Sequence, residues 1–483
     1  MTLDTRICDR ARLARDPRFD GLFFTGALST GIYCRPICPA RSPKLENIVH
    51  FPSAAAAAEA GLHPCLRCRP EASPGSPAWN GASATVSRAM LLIRQGALDK
   101  GTLEDLALKL GVSSRHLRRL FQTHFGASPK SLSTTHKTFF AKRLLDETEL
   151  PITQIAYVSG FGSIRRFNTA FGKIYGKPPS SFRNASKTNK TLGKAPFRCT
   201  LTLSYRPPFD WQRMLGFFQS RAIPGVEWVA DGAYHRTIRM NTTTGMISVA
   251  HAEKEHALLL TTALSDSLDL MHIVERVRRT FDLDANMGII HEVFAGDDVL
   301  KKLVNKLPGL RLPGACDPFE VAIRVVTGQQ ISIKGARTVI GRIAAKAGPL
   351  FKSADYPQLT HFFPTAHELS GCDLGRIGMP ERRVRTIQAL AQAVTRGELS
   401  FLVNGSLGNF IEPLTRIPGI GDWTAQCIAM RALGEPDAFP AADLGIIKAL
   451  QQGDERPNRK QILKKAENWR PWRAYAAIYL WHR

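Results

Sequence analysis

The 483-residue chain is short of acid: 41 Asp+Glu stand against 65 Lys+Arg, a formal net charge of +24. It lacks any apolar run approaching the roughly 18 residues needed to span a bilayer. The alanine run Ala54–Ala58 stops at Glu59. A membrane partner is therefore not expected. The opening Met1-Thr-Leu-Asp-Thr-Arg6 has no apolar segment like that of an export signal, so the expected location is the cytoplasm with reduced thiols. Nine cysteines are an odd number and do not suggest a disulfide framework. What remains is an ordinary globular composition, 44% hydrophobic, and length for three or four domains. The charge excess is uneven. Residues 1–196 hold 29 Lys+Arg against 13 Asp+Glu, and residues 197–483 hold 36 against 28. An excess of this size favours a polyanion, most simply double-stranded DNA.

Four cysteines carry the sharpest chemical signal. Cys34 and Cys38 lie in Gly31-Ile-Tyr-Cys-Arg-Pro-Ile-Cys38, and Cys65 and Cys68 in His63-Pro-Cys-Leu-Arg-Cys-Arg-Pro70. A C-x3-C pair followed by C-x2-C fits a closed tetrahedral zinc site, because two short loops can each aim two thiolates at one metal. Such a site carries a formal charge of about −2, which Arg35, Arg41, Arg67 and Arg69 could help hold. Two readings stay open from spacing alone: a structural zinc knuckle, or a site with one chemically active thiolate. Cys8, Cys199, Cys316, Cys372 and Cys427 are scattered and read as ordinary residues.

The surroundings favour the second reading. From about Arg15 to Pro70 the segment resembles the N-terminal domain of Ada-type methylphosphotriester sensors, through Ser29-Thr-Gly-Ile-Tyr-Cys-Arg-Pro36, Arg41, Glu46-Asn47 and Pro64-Cys65 among others. The resemblance implies that the first cysteine, Cys34, takes a methyl group from a methylated DNA phosphate, with Thr30 and Arg41 at the DNA. A metal-bound thiolate stays deprotonated and nucleophilic. Methyl transfer turns it into a thioether, the site loses one negative charge, and affinity for DNA should rise. One zinc ion and no organic cofactor are expected.

Two breaks divide the chain: the turn-rich Ala72–Ser83, and the polar, basic Asn184–Pro196. Between them lies an internal repeat. Leu106-Ala107 and Gly111 recur as Ile155-Ala156 and Gly160. Leu117, Phe121, Phe125, Gly126 and Pro129 recur as Phe167, Phe171, Tyr175, Gly176 and Pro179. Helix, glycine turn and second helix in each copy are helix-turn-helix grammar. The second helices open near Ser113 and Gly162, and solvent-facing Arg and Asn there suit major-groove contact. The pair resembles the AraC-type transcription-factor domain over about 88–183. Arg115, Arg118, Arg119, Arg165, Arg166 and Asn168 are the candidate DNA contacts, and RNA polymerase at target promoters is the implied partner.

Beyond Pro196 the texture changes. Cys199–Tyr205 alternates as a strand, Asp210–Phe218 reads as a helix, and Met246–Ala250 and Ala257–Leu260 are further strand candidates. From about residue 286 helical patterns dominate. Leu414-Thr-Arg-Ile-Pro-Gly-Ile-Gly-Asp-Trp-Thr-Ala425 predicts a helix ending near Arg416, a tight turn and a new helix near Asp422. That arrangement lets backbone approach a phosphate without reading bases. Nearly all of 197–483 resembles the AlkA-type DNA-3-methyladenine glycosylases of the helix-hairpin-helix superfamily. The resemblance rests on Phe209-Asp-Trp211, Met214–Phe217, Pro308–Gly314, Gly328–Ser332, the hairpin and Trp469–Tyr475. It selects Asp443 as the catalytic carboxylate and Trp423 and Trp481 as base-pocket residues. It places Gln329, Gln330, Gly419, Gly421 and Thr424 at the DNA.

Two departures stand out. Gln330 occupies the place of a leucine wedge, and Cys427 and Leu444 stand where a known member has tyrosines, so the pocket is expected to be remodelled. Trp423 occupies the place of the Schiff-base lysine of strand-cutting relatives, so base excision without lyase activity is expected. The Pro-Cys-His-Arg signature of O6-alkylguanine repair is not found.

The expected architecture is multidomain. A small four-cysteine zinc α+β module spans 1–75, an all-α double helix-turn-helix 84–183, and a linker 184–196. An α+β (TBP-like) subdomain spans 197–283, and an all-α helix-hairpin-helix glycosylase domain 284–483. The expected function is that of a bacterial, cytoplasmic, nucleoid-associated alkylation-response protein. The alternative is a transcription regulator whose glycosylase half is inactive or altered in specificity.

Overall fold

The computed structural model describes residues 4–75, 84–99, 101–183, 196–401, 407–451 and 453–483. Most of the break at 72–83, and residues 184–195 of the linker, lie outside them. The first module is built on a four-stranded sheet of β1 (Phe24–Ala27), β2 (Ile32–Cys34), β3 (Ile48–Phe51) and β4 (His63–Pro64), in the order β3-β1-β2-β4. The alanine run forms the helix Ala54–Glu59, capped by Ser53; it buries Ala54 and Ala57 with Phe24 and Tyr33 of the sheet, and Ala55 and Ala56 with Val86 and Phe125 of the helices that follow. Small side chains let a helix pack close.

The repeat is visible in the caps of its second helices. Ser113 caps Ser114–Phe125 and Ser163 caps Ile164–Tyr175, each accepting an orphan amide three residues on. Each helix stops at a left-handed glycine, Gly126 (φ +63°) and Gly176 (φ +69°). Helices Leu103–Lys109 and Ile152–Val158 complete the two motifs, and the long helix Pro129–Glu147 joins them.

The third unit is an antiparallel sheet of β5 (Phe197–Ser204), β6 (Glu227–Ala230), β7 (Ala233–Met240), β8 (Thr243–Ala252) and β9 (Ala257–Leu264), ordered β5-β9-β8-β7-β6. In β5 residues 197, 199, 201 and 203 point inward, as strand alternation requires. The remainder is helical and buries one large core from Ile223 to Leu480.

The modules are packed together. Phe140, Leu144, Phe171 and Tyr175 of the helix-turn-helix unit share a core with Leu201, Leu203 and Leu258 of the five-stranded sheet. Ser53 Oγ donates to Phe125 O at 2.7 Å, and His63 Nδ1 to Ile174 O at 2.9 Å. Asp284 pairs with Arg94 of the helix-turn-helix unit and with Arg278, while Arg206 Nη1 donates to Asp284 O and its Nη2 to Gly75 O. The sheet is tied to the helical half by a buried four-membered network. Glu320 accepts from Arg236 at 2.7 Å and from Arg324 at 2.6 Å, and Glu227 pairs with the same two arginines.

Candidate functional site

Two sites are built far apart in the chain. In the first, parallel pairing of β2 with β4 sets Tyr33 opposite Pro64, so Cys34 and Cys65 emerge side by side. Cys65 N–H donates to Tyr33 O at 2.9 Å. A turn after each strand brings back Cys38 and Cys68. The four sulfurs all lie within 4.8 Å of one another, and tetrahedral zinc with bonds of about 2.3 Å asks for sulfurs about 3.8 Å apart. Side-chain hydrogen bonds among the thiols hold Cys38 well below the ordinary thiol range and push Cys34 and Cys68 above it. Four thiolates at this spacing repel, and a dication is what lets all four ionise together. The donor set fits zinc.

The arginines around this cluster divide. Arg35 turns inward: its amide donates to Cys68 Sγ at 3.3 Å, and its guanidinium to Cys68 O at 3.0 Å and to buried Asp20 at 2.9 Å. Arg69 pairs with Asp146 of the helix-turn-helix unit and with Glu71. Arg41 and Arg67 are exposed, as is Thr30, and stay available to an external anion. The sequence reading placed all four arginines in one role. Folding engages two of them with carboxylates, Arg35 in a buried pair and Arg69 in a half-exposed one, and nothing local to the motif marks Asp20 as the partner.

On the helix-turn-helix unit, Arg115, Arg118, Arg119, Arg165, Arg166 and Asn168 are all exposed, while the apolar repeat positions Leu117, Phe121, Phe167 and Phe171 are fully buried. Both second helices therefore present basic faces to solvent.

The second site centres on Asp443, the N-cap of helix Leu444–Leu450. Its Oδ1 accepts from Gly445 N at 2.8 Å, Ile446 N at 3.2 Å and Trp481 Nε1 at 2.8 Å, and its Oδ2 from Trp423 Nε1 at 2.9 Å. Both tryptophans thus hold the carboxylate as well as walling the cavity beside it. That cavity, of about 280 Å³, is lined by Phe217, Cys427 and Ile478 with Trp423, Trp481 and several arginines. Trp423 also borders the open groove that contains Asp443, Leu444, Gln329, Gln330 and Gly419. Burial first, then the Asp443 charge, pushes the Cys427 thiol up to about 12, so it is a neutral lining group. Leu444 is 70% exposed and belongs to the groove, not to the cavity.

The hairpin joins helix Leu407–Thr415 to helix Asp422–Ile428. Gly419 has φ +90°, and a Cβ there would collide with Thr386 Oγ1. Gly421 supplies no side-chain cap, which leaves the first amides of the following helix free for an anion. Gln329 braces the hairpin from inside, donating to Gly419 O at 3.1 Å and to Thr424 Oγ1 at 2.8 Å, and the Thr424 side chain is buried. Gln330 is exposed with φ +56°, a left-handed conformation that is costly outside glycine and typical of functional loops. Ile331 and Ile333 stand exposed beside it. Sequence reasoning missed this apolar tip, because exposure of an isoleucine has no local signature.

Four family models match in succession. The metal binding domain of Ada matches residues 7–71, a helix-turn-helix domain 106–185, the AlkA N-terminal domain 200–317, and the HhH-GPD superfamily base excision DNA repair protein 323–471. A probable bifunctional transcriptional activator/DNA repair enzyme AlkA of Mycobacterium tuberculosis (strain CDC 1551 / Oshkosh) is 39% identical over 479 residues, covering 99% of this chain and 96% of that protein. The chain belongs to this Ada–AlkA family. DNA-3-methyladenine glycosylase 2 of Escherichia coli (strain K12) is 33% identical over 284 residues, covering 58% of this chain and 96% of that one. The solved 3-methyladenine DNA-glycosylase from Archaeoglobus fulgidus matches 58% of this chain and 96% of its own with a TM-score of 0.50 at 21% identity, a likeness of fold. As an Ada–AlkA family member the chain joins a four-cysteine metal-binding module, a helix-turn-helix module and a base-excision module. Among the described residues no helix is long and apolar enough to cross a membrane.

Proposed function

We propose that this protein senses and repairs alkylated DNA through two independent sites, Cys34 and Asp443. The observation that carries the repair half is the carboxylate itself, fixed by four N–H donors at the edge of an aromatic-walled cavity. A damaged nucleotide rotates out of the stack into that cavity. Gln330, on its exposed loop, fills the gap left in the duplex. Trp423 and Trp481 offer aromatic faces to the electron-poor base. Asp443 stabilises positive charge developing on the sugar and orients the water that attacks it. Alkylated purines of the 3-methyladenine and 7-methylguanine type are the substrates. Trp423 supplies no amine for a Schiff base, so the strand is not cut.

At the other site, Cys34, Cys38, Cys65 and Cys68 hold one zinc ion, with no organic cofactor. Zinc keeps the Cys34 sulfur ionised and nucleophilic. Cys34 Sγ forms a bond to the methyl carbon as the methyl–oxygen bond of a phosphotriester breaks, and the phosphate leaves with the electron pair. Thr30 and Arg41, exposed near the cluster, position the backbone. The module becomes less negative by one charge and holds DNA more tightly. The basic faces at Arg115, Arg118, Arg119, Arg165, Arg166 and Asn168 then engage a promoter, where RNA polymerase is the expected partner. The units act as a zinc module at 1–75, a regulator at 84–183 and a glycosylase at 197–483, on nucleoid DNA. A purely regulatory role with a dead glycosylase is disfavoured by the intact Asp443 and hairpin.

Purified protein should contain one zinc and gain the mass of one methyl group on Cys34 after incubation with methylated DNA. It should also release 3-methyladenine from the same DNA. No mass gain overturns the sensor; no base release overturns the repair reading.

A further inference from the structure

The two second helices of the helix-turn-helix unit end on the same neighbour. A helix leaves its last carbonyls without partners of its own. In helix Ser114–Phe125 the carbonyl of Phe125 accepts from Ser53 Oγ at 2.7 Å. In helix Ile164–Tyr175 the carbonyl of Ile174 accepts from His63 Nδ1 at 2.9 Å. Phe125 and Tyr175 are repeat partners, so the zinc module reaches equivalent ends of both copies. The glycines that close the two helices face it as well. A Cβ on Gly126 would meet Pro52 and Ala56, and one on Gly176 would meet the His63 ring. Ala55 and Ala56 lie in the core of the first copy with Leu117, Phe121 and Phe125. On the second copy, Tyr175 Oη donates to buried Glu71 at 3.3 Å, and Lys142 of the joining helix pairs with the same carboxylate at 3.6 Å.

This placement bears on how DNA is read. The basic residues of each second helix stand near its start, at Arg115, Arg118 and Arg119 and at Arg165 and Arg166, and the ties lie at the other end. Two recognition helices that enter successive major-groove segments must match the duplex repeat, about 34 Å per turn. Helix Pro129–Glu147 joins the copies, but one rod attached once to each leaves each free to roll about its attachment. A third body bound to both closes the loop and removes that roll. The second copy is also buried against the five-stranded sheet through Phe171 and Tyr175, whereas the first shares its core with the zinc module. The zinc module thus fixes how the first copy stands relative to the second.

Resting on the reading of both second helices as DNA-facing, we propose that Ser53 and His63 set the half-site spacing that the regulator accepts. The zinc module is a yoke across the two helix ends, and the two copies read DNA as one bipartite element because of it. Neither residue reads a base. Each acts through the helix it holds, so both are positioning residues. Ser53 follows β3 and His63 opens β4, and Pro64, next to His63, pairs with Tyr33, next to Cys34. The strands that carry the sensor cysteines therefore also carry the two ties.

The test uses the full chain and the duplex that wild type enriches from a randomised pool of about 40 base pairs, room for two half-sites about ten base pairs apart. Base substitutions through that duplex define the half-sites. A second duplex carries two extra base pairs between them, which turns one half-site by about 70°. Wild type should bind the longer duplex about 100-fold more weakly, the worth of one or two good base contacts. Ser53→Ala/His63→Leu should lose about tenfold on the original duplex and no more than about tenfold further on the longer one, so the spacing preference collapses. Ser53→Thr/His63→Gln keeps a donor at each place and should restore it. Thermal unfolding checks that the variants are folded. If the double variant is unfolded or binds neither duplex, His63→Leu alone, at an exposed position, should cut the preference by about fivefold. A preference equal to that of wild type, even with a uniform fall in affinity, overturns the proposal and leaves the DNA reading intact. So does wild-type binding that ignores the insertion. If wild type enriches no sequence, the DNA reading falls and this inference with it.

Discussion

Asp443→Asn separates chemistry from folding. The two carboxylate oxygens have different partners. Oδ1 takes the two amides of the helix start and Trp481, and Oδ2 takes, among the described residues, only Trp423. An asparagine can keep its oxygen on the first three, and Asn caps helices about as well as Asp. Its amide nitrogen then faces the Trp423 N–H, donor against donor, which costs about 1–3 kcal/mol. At about 2–4 °C per kcal/mol for a domain of this size, the melting point should fall by about 2–12 °C. The reaction loses much more. A negative charge beside the developing sugar cation and a water-orienting base both disappear, and together they are worth about 10³–10⁴-fold. Single-turnover release of 3-methyladenine should therefore drop by about that factor at a temperature where thermal unfolding shows the variant fully folded. Release within tenfold of wild type would refute the assignment. So would a loss that tracks unfolding.

Trp423→Phe keeps an aromatic wall but removes the N–H on Oδ2, so base release should fall by about tenfold, the worth of one charge-assisted hydrogen bond, while the melting point hardly moves; an unchanged rate would show that the indole only packs. Glu320→Gln strands Arg236 and Arg324 with only Glu227 between them, and urea unfolding should show a loss of about 3–5 kcal/mol. Burial pushes the Glu320 carboxyl up, but Arg236 and Arg324 outweigh it and hold it down at about 2. Its stabilisation is thus complete above the unfolded value of about 4.5 and is lost as pH falls from there towards about 2. The melting point of Glu320→Gln should be less steep in that window than wild type; equal slopes would count against the network.

Much of the fold is legible because its signals are local. The four-cysteine spacing, the serine caps and terminal glycines of the two second helices, and the Pro-Gly-Ile-Gly turn each need only a few neighbouring residues to define a shape. The alternation of Cys199–Tyr205 likewise predicts β5, whose order in the sheet it leaves open. The resemblance to the AlkA-type glycosylases selects Asp443, but the two indole donors that hold it were not legible, since Trp423 and Trp481 lie 20 and 38 residues away.

The sequence alone settles which chemical groups are available and which short segments hold them: sulfur at two turns, guanidinium on two helix faces, a carboxylate at a helix start. Only the tertiary structure decides which of those groups are free to act. Arg35 and Arg236 are engaged by Asp20 and Glu320, brought from elsewhere in the chain, whereas Arg41 and Arg67, with the same side chain, stay exposed. Charge in a folded interior is assigned by which distant partners arrive within hydrogen-bond reach, and chain spacing carries no record of that.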